Sequence, residues 1–138
     1  DFRDAYERKY GRGGPSFVVD AYKQAARSAM QRSKALVVYL HCGLHQDADA
    51  FCRDVLRGSH VSRYLSRHAV VWGADVSTAE GHVLMDALKV ARLPFLAVLV
   101  CRPGANGEEV VDRLQGILDA DVVLARLVAA AERYRFRL

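Results

Sequence analysis

Apolar residues recur along this chain at two spacings, which predict helices and strands in turn. Residues 2–10 have a helical composition, and the glycine-rich stretch 11–15 ends that segment. Between residues 19 and 32, alanines and Met30 recur at helical spacing. A run rich in branched apolar residues at 35–40 then predicts a buried strand. This part of the chain therefore predicts two helices followed by the first core strand.

The middle of the chain repeats this alternation. Residues 47–56 predict a helix with Phe51 and Val55 on one apolar face. Ser59 is expected to cap a second short helix, and residues 70–74 predict the second core strand. We therefore expect two helices between the first two strands.

A helix, two strands and a final helix complete the predicted order. Ser77 and Glu80 have the spacing of a capping box, which predicts that a helix starts there. Residues 93–100 and 110–114 predict strands, and Asn106-Gly107 between them is a strong hairpin signal. The side chains expected to point inward are Val83, Leu84, Ala87 and Leu88, followed by Val123, Leu124, Leu127, Val128 and Ala131 in a final helix at 119–134.

This order of elements is similar to the thioredoxin arrangement. Two right-handed crossovers are expected to build a parallel part of the sheet, and the hairpin adds an antiparallel edge. Pro94 opens the third core strand, as a proline does in thioredoxin folds. We therefore predict an α/β, thioredoxin-like three-layer fold, with a central mixed sheet flanked by helices, as a single domain over residues 1–138.

Composition and charge narrow the possible functions. The 138 residues are 51% hydrophobic and 26% charged, the mix of an ordinary globular domain. The formal charge of +4 favours an anionic ligand or surface, but the basic residues are too dispersed along the chain for nucleic-acid binding. Three cysteines without secreted-domain spacing favour reduced thiols in the cytosol. No apolar run approaches the ~20 residues that span a bilayer. Both ends of the chain indicate a segment of a longer protein.

Residues 41–45, His-Cys-Gly-Leu-His, follow the first predicted strand. Thioredoxins carry a Cys-x-x-Cys pair there, at a helix N-terminus that lowers a thiol pKa. Cys42 matches the first cysteine of that pair, but His45 stands at the place of the second. Cys52 lies too far into the following helix to supply the missing sulfur. We therefore predict a degenerate redox motif with no catalytic dithiol and no cofactor.

A single-thiol reaction remains an alternative for this segment. Cys42 could act as a thiolate with His45 as its base, in a thioredoxin-like monothiol oxidoreductase or transferase. A metal site built on His41, Cys42 and His45 lacks a further ligand nearby in the sequence, so we expect no metal. The other two cysteines are interpreted as packing residues, and Pro94 as a structural residue of the kind that adopts a cis bond.

The candidate ligand-binding residues are basic side chains on or near the two middle helices. They are Arg53, Arg57, His60, Arg63 and Arg67. These side chains predict a patch that binds carboxylates or acidic headgroups. The alternative is a solvated face balanced by Asp49 and Asp54.

Several segments also carry a family resemblance, in the same order and over nearly the whole chain. They are residues 34–54 (KALVVYLHCGLHQDADAFCRD), 71–75, 80–81 and 93–97, with 6–11 and 113–116 on either side. The most specific is His-Gln-Asp at 45–47 followed by Phe-Cys-Arg at 51–53. Together they resemble the UAS domains of Fas-associated factor 2-type UBX adaptors. Cys42 departs from that pattern, which keeps the single-thiol alternative open.

The resemblance implies a non-enzymatic module within a larger adaptor. Such adaptors also carry a ubiquitin-associated domain and a UBX domain, which recruits the valosin-containing AAA ATPase to ubiquitylated substrates. Relatives sit on the cytosolic face of the endoplasmic reticulum and on lipid droplets, and act in endoplasmic-reticulum-associated degradation. We therefore expect contacts with ubiquitin and the ATPase to be made by other domains of the parent protein.

For the UAS domain itself, the resemblance implies binding of long-chain unsaturated fatty acids through a basic surface, which promotes self-association. The basic cluster at residues 53–67 is the candidate for that surface. A passive spacer that binds no ligand is a third interpretation.

Overall fold

A computed structural model describes residues 1–104 and 107–137 of the protein, with side chains through residue 133. The elements are α1 (Phe2–Tyr10), α2 (Tyr22–Gln31), β1 (Ala35–His41), α3 (Ala48–Ala50) continuing into a π-helix (Phe51–Leu56), α4 (Ser59–His68), β2 (Ala69–Asp75), α5 (Ala79–Ala87), β3 (Phe95–Cys101), β4 (Glu108–Gln115) and α6 (Ala120–Arg137). The predicted order of helices and strands is therefore confirmed, while the predicted Asn106-Gly107 turn lies partly outside the described residues.

The four strands form one mixed sheet in the order β2-β1-β3-β4. β1 and β2 are parallel, whereas β3 is antiparallel to both β1 and β4. The predicted second parallel crossover is therefore wrong. A fully buried strand has the same apolar pattern in either direction, so the sequence did not show that Leu36, at the start of β1, pairs with Leu99, near the end of β3. β3 starts at the carboxyl end of β1, where Phe95 pairs with Leu40.

Side chains alternate across the sheet and build two separate cores. The even-numbered residues of β1, Leu36, Val38 and Leu40, face α2 and α5. The odd-numbered Val37 and Tyr39 face α1, the π-helix, α4 and α6. All seven residues of β1 are buried, as expected for a central strand covered on both faces. Helices on both sides of the sheet confirm the predicted three-layer α/β architecture.

Two helix caps differ from the predicted ones. Thr78, not Ser77, caps α5, because its hydroxyl accepts the Gly81 N–H at 3.1 Å. The Ser77 hydroxyl instead donates to Asp75 at 2.7 Å. Similarly, α4 begins after Gly58, and Ser59 is already helical, so its hydroxyl does not cap the helix.

Three predicted core positions, Val83, Ala87 and Val128, lie at the surface, so these predictions are wrong. Val83 and Val128 are 63% and 38% exposed. The buried residues of α5 are Gly81 and Leu84, and Leu88 follows just after the helix, one turn further along the same stripe. Val83 projects about 100° away from Leu84 and so misses the sheet. The buried stripe of α6, Val123, Leu127 and Ala130, excludes Val128 for the same reason.

Gly73 allows α1 to lie close against β2. A Cβ at this position would lie 2.5 Å from the Phe2 ring and 3.1 Å from that of Phe17. The Phe2 ring packs edge-on against Phe17 at 5.1 Å between centroids. The missing side chain therefore makes room for an aromatic cluster near the carboxyl end of the parallel strands. Trp72, beside it, is 3% exposed, which confirms its predicted place in the core.

Candidate functional site

The motif loop, residues 42–47, follows β1 and holds one thiol. The His45 N–H donates to the Cys42 carbonyl at 3.0 Å, which forms a tight turn. The ring of His45 accepts the Asp47 N–H through Nδ1 at 3.1 Å. A histidine that stabilises the loop therefore occupies the place of the second thioredoxin cysteine.

The three cysteines differ in exposure, and all are free thiols. Cys42 is half-buried, whereas Cys52 and Cys101 are 0% and 7% exposed. Burial raises the pKa of the Cys52 thiol, and burial with the nearby Glu108 raises the pKa of Cys101 to about 11. At neutral pH the two buried cysteines are therefore protonated, and Cys42 is the thiol available to reagents.

Beneath the loop lies a buried polar network that sequence reasoning missed. The Tyr39 hydroxyl lies 2.7 Å from His41 Nδ1 and 3.2 Å from Cys52 Sγ. Cys52 Sγ is in turn 3.8 Å from His41 Nδ1. Tyr39 and His41 are two apart on one strand, so they share a face. The sequence signal for this network was therefore a tyrosine and a histidine two apart in a strand otherwise made of aliphatic residues.

Burial keeps this network uncharged. Desolvation lowers the pKa of His41, and the nearby Asp75 carboxylate offsets this only in part. Desolvation also raises the pKa of Tyr39 well above its ordinary value, with a further increase from Cys52. Neutral histidine, phenol and thiol groups can therefore share hydrogen bonds inside the core without an unpaired charge.

Pro94 lies where sequence analysis placed it, immediately before β3, and the Leu93–Pro94 bond is cis. Its carbonyl accepts the Gly116 N–H at 2.9 Å. Gly116 has φ of +67°, a left-handed conformation that favours glycine at the end of β4. Because Phe95 pairs with Leu40, Pro94 lies at the sheet edge from which the motif loop leaves.

Two of the predicted basic residues make contacts within the protein: Arg53 on the π-helix and Arg57 at its C-cap. Arg53 lies 3.9 Å from the Asp49 carboxylate and over the Tyr10 ring at 5.5 Å. Arg57 donates to the Arg12 carbonyl at 3.1 Å, which ties the π-helix to the glycine-rich loop. These two side chains therefore have a structural role besides any ligand.

The other three predicted residues, His60, Arg63 and Arg67, are exposed on α4. Their spacing of three and four places them along one side of that helix. Within residues 1–104 and 107–133, no acidic side chain pairs with any of them. The three side chains therefore remain a predicted anion-binding row.

The described part of the chain contains no group of three His, Cys, Asp or Glu side chains arranged to hold a metal ion. Over the same residues, no helix has the length and apolar character required to cross a membrane.

The fold and the motif loop together define a class: a thioredoxin-like domain with a histidine at the place of the second redox cysteine. A solved thioredoxin from Thermus thermophilus is similar over 80% of this chain and 83% of its own, with a TM-score of 0.69 and 29% identity. The chain belongs to the Fas-associated factor 1 family, whose model matches residues 2–129. This result confirms the resemblance found in the sequence.

Individual relatives agree with that assignment. FAS-associated factor 2 from Homo sapiens is 33% identical over 126 residues, which cover 91% of this chain and 28% of the relative. Plant UBX domain-containing protein 10 from Arabidopsis thaliana is 30% identical and covers all of this chain and 32% of its own length. The chain thus spans about three tenths of these relatives. Family and fold together support an interaction module of the adaptor type.

Proposed function

We propose that this chain is the non-enzymatic UAS module of a UBX-type adaptor, and that a long-chain unsaturated fatty acid binds its basic surface and promotes self-association. The parent adaptor acts in ubiquitin-dependent, endoplasmic-reticulum-associated degradation. It contacts ubiquitin and the valosin-containing AAA ATPase through other domains, at the cytosolic face of the endoplasmic reticulum or on lipid droplets.

The exposed row on α4 is the observation that carries the proposal. Arg63 and Arg67 have no acidic partner among the described residues, so their charges are available to a carboxylate, and His60 lies on the same side of the helix. Arg53 and Arg57 extend this positive surface onto the preceding π-helix. An arginine can bind a carboxylate through two parallel hydrogen bonds, which favours a fatty-acid headgroup over a neutral lipid.

The arrangement of thiols supports the non-enzymatic part of the proposal. A thioredoxin-type dithiol cycle requires a second sulfur near Cys42 to resolve the mixed disulfide, and the motif loop offers the His45 ring in its place. Cys52 is fully buried and holds its proton. The competing candidate, a monothiol oxidoreductase or transferase, rests on Cys42 alone.

Sedimentation velocity with and without oleate, below its micelle concentration, tests the function. Oleate is expected to shift the domain to larger species, and stearate at the same concentration to shift it less. If the sedimentation profile stays the same with oleate, the proposed function is wrong.

A charge-reversal pair tests the site separately. Arg63→Glu with Arg67→Glu should abolish the oleate-dependent shift. The matched control is Lys23→Glu with Arg27→Glu, the same change of charge on the exposed side of α2 against the opposite face of the sheet. If both pairs respond to oleate alike, the basic row is not the binding site, and any oleate-dependent shift arises at another surface.

Alkylation of Cys42 at neutral pH distinguishes the proposal from the enzyme. A non-enzymatic domain predicts a rate no faster than that of a free cysteine, whose pKa is about 8.5. Rapid alkylation, with turnover of a mixed disulfide that is lost in Cys42→Ser, would establish the enzyme instead.

A further inference from the structure

A cavity of about 780 Å³ opens at the carboxyl ends of β1 and β2, next to the motif loop. α1 and residues 18–21 form its sides, and four aromatic side chains line it: Phe2, Tyr6, Tyr10 and Trp72. Its volume is within the range of ligand-binding pockets, about 300–1,000 Å³. None of the five basic residues assigned to fatty-acid binding lines this cavity. It is therefore a second, separate candidate site.

The charged groups around the cavity are mainly acidic. Asp20, Asp75 and Glu80 line it, together with Asp1 at the start of the chain. Lys9 is the one lysine or arginine among the described lining residues, and its ammonium group lies 3.3 Å from Asp49, which matches its charge. The electrostatic potential in the cavity therefore opposes a carboxylate ligand and favours a cation.

The acidic side chains keep acceptor capacity for a ligand. One oxygen of Glu80 accepts the Tyr22 N–H at 3.1 Å. One oxygen of Asp75 accepts from the Ser77 N–H and hydroxyl at 2.9 and 2.7 Å. A carboxylate has about four acceptor positions on its two oxygens, so each group can still bind a cationic donor.

His41 provides an independent sign of a ligand. It is 8% exposed and lines the cavity, and its Nδ1 is already paired with the Tyr39 hydroxyl. Nε2 has no hydrogen-bond partner among the described residues, yet those residues include no fully buried polar side-chain atom without a partner. Nε2 therefore reaches the cavity, where it can donate to a carbonyl or accept an N–H.

We propose that this cavity binds a segment of a partner polypeptide in which an arginine or lysine stands beside an apolar residue. The cationic group lies between the acidic side chains and the aromatic rings, which attract cations to their faces within about 6 Å. The peptide backbone offers a carbonyl or an N–H to His41 Nε2. This site is separate from the fatty-acid surface, and the inference does not depend on that function.

Trp72 provides a direct readout, because it is the single tryptophan of the chain and lines the cavity. Its indole N–H donates to the Asp20 carbonyl at 2.8 Å, within the wall that the ligand would contact. Titration with the capped peptide Gly-Leu-Arg-Leu-Gly is expected to change Trp72 fluorescence saturably. The same peptide with glutamate in place of arginine should cause no saturable change.

Paired isosteric variants test the acidic rim. Asp20→Asn with Glu80→Gln removes two charges and keeps an acceptor oxygen for the Tyr22 N–H, so folding is preserved. This pair should weaken binding of the arginine peptide about tenfold or more, since hydrogen bonds to charged groups are stronger than those between neutral groups. The matched control, Asp86→Asn with Glu132→Gln, removes two exposed charges outside the cavity and should stay within about twofold of the unmodified chain.

Three results would overturn the proposal: no saturable response to the arginine peptide, equal binding of the glutamate peptide, or equal loss in both variant pairs. A different result would assign the cavity to a lipid. In that case oleate quenches Trp72 fluorescence and still binds the Asp20→Asn, Glu80→Gln variant, while the arginine peptide does not bind. Near-ultraviolet circular dichroism of each variant confirms that the cavity walls are folded.

Discussion

The face of the sheet covered by α2 and α5 buries a largely aliphatic core, in which Ala25 and Ala29 pack against Leu36 and Leu99. The face covered by α1, the π-helix, α4 and α6 buries aromatic and sulfur-containing side chains whose polar atoms are hydrogen-bonded to one another. The first core depends mainly on packing, with the Trp72 indole N–H bonded to the Asp20 carbonyl, whereas the second depends more on keeping several buried polar atoms paired.

The difference between the two cores bears on where the candidate sites lie. β1 serves both cores, because its even-numbered side chains face the aliphatic core and Tyr39 faces the polar one. His41 continues the polar face to the strand end, where it meets the cavity. The π-helix and α4, which carry the predicted basic residues, cover the same polar face. The basic row therefore lies on the polar side, whereas the cavity lies where the two cores meet and is lined by Trp72 and Ala74 of the aliphatic core as well.

The largest expected effect is the loss of packing in the aliphatic core. Phe95→Ala removes a fully buried ring on β3 and should lower the free energy of unfolding by about 3–5 kcal/mol. Urea denaturation measures this change. Val83→Ala, on the exposed side of α5, is the control and should stay within about 0.5 kcal/mol. A loss below about 1 kcal/mol for Phe95→Ala would contradict the packing of this face.

A smaller effect is expected in the polar core. Tyr39→Phe keeps the ring but removes the hydroxyl that joins His41 and Cys52, and should cost about 1–3 kcal/mol because buried partners are left unpaired. A double-mutant cycle with Cys52→Ala, read by urea denaturation, should show a coupling of about 0.5 kcal/mol or more. If the losses of the two single variants add up to that of the double variant, the Tyr39–Cys52 contact contributes nothing to the free energy of unfolding.

The polar core should also make stability depend on pH. Burial lowers the pKa of His41 in the folded state below 6.5, so the unfolded chain binds the proton more readily. The contribution of His41 to the free energy of unfolding is therefore fully present above the pKa that this histidine has in the unfolded chain. It is lost as the pH drops below that value. The lowered pKa values of Asp49 and Asp75 start from 3.8, so those groups act only at lower pH. Urea midpoints between about pH 7.5 and about pH 5 should decline, and His41→Gln should flatten that decline. An equal slope in the variant would exclude His41 as its source.

The smallest effect is expected at the outer surface of the polar face. Arg63→Glu with Arg67→Glu should change the free energy of unfolding by no more than about 0.5 kcal/mol per residue, because both side chains are exposed and unpaired among the described residues. Thermal unfolding measures this change. A large loss of stability would show that the basic row contributes to the fold rather than being available to a ligand.

Much of the fold could be predicted because periodicity reports burial directly. The strands at 35–40 and 93–100 were recognisable as apolar runs, and the structure has them as β1 and β3. Strand direction could not be predicted this way, because a buried strand has the same pattern whether it is parallel or antiparallel. The pairing of Leu36 with Leu99 and of Leu40 with Phe95 in the structure shows that β3 runs against β1.

The site was less predictable for a related reason. The loop at Cys42 and His45 is contiguous in sequence, so its chemistry could be inferred from spacing. The Tyr39, His41 and Cys52 network joins a strand to a helix that is distant in sequence, and the cavity joins α1 to β2. No local pattern shows which side chains meet across such distances. Cys52, interpreted as a packing residue, is buried as expected but also takes part in hydrogen bonds.

α1 precedes every strand of the sheet, yet it is joined to the core at several points. The Tyr10 hydroxyl donates to Asp49 at 2.6 Å, and the Tyr6 hydroxyl to the Cys52 carbonyl at 3.4 Å. A shortened chain that began after this helix would keep all four strands but uncover the rings of Phe17 and Tyr39. Such a truncated chain would expose an apolar aromatic surface and would aggregate during expression. The helix at Phe2 therefore belongs to the same folding unit as the sheet.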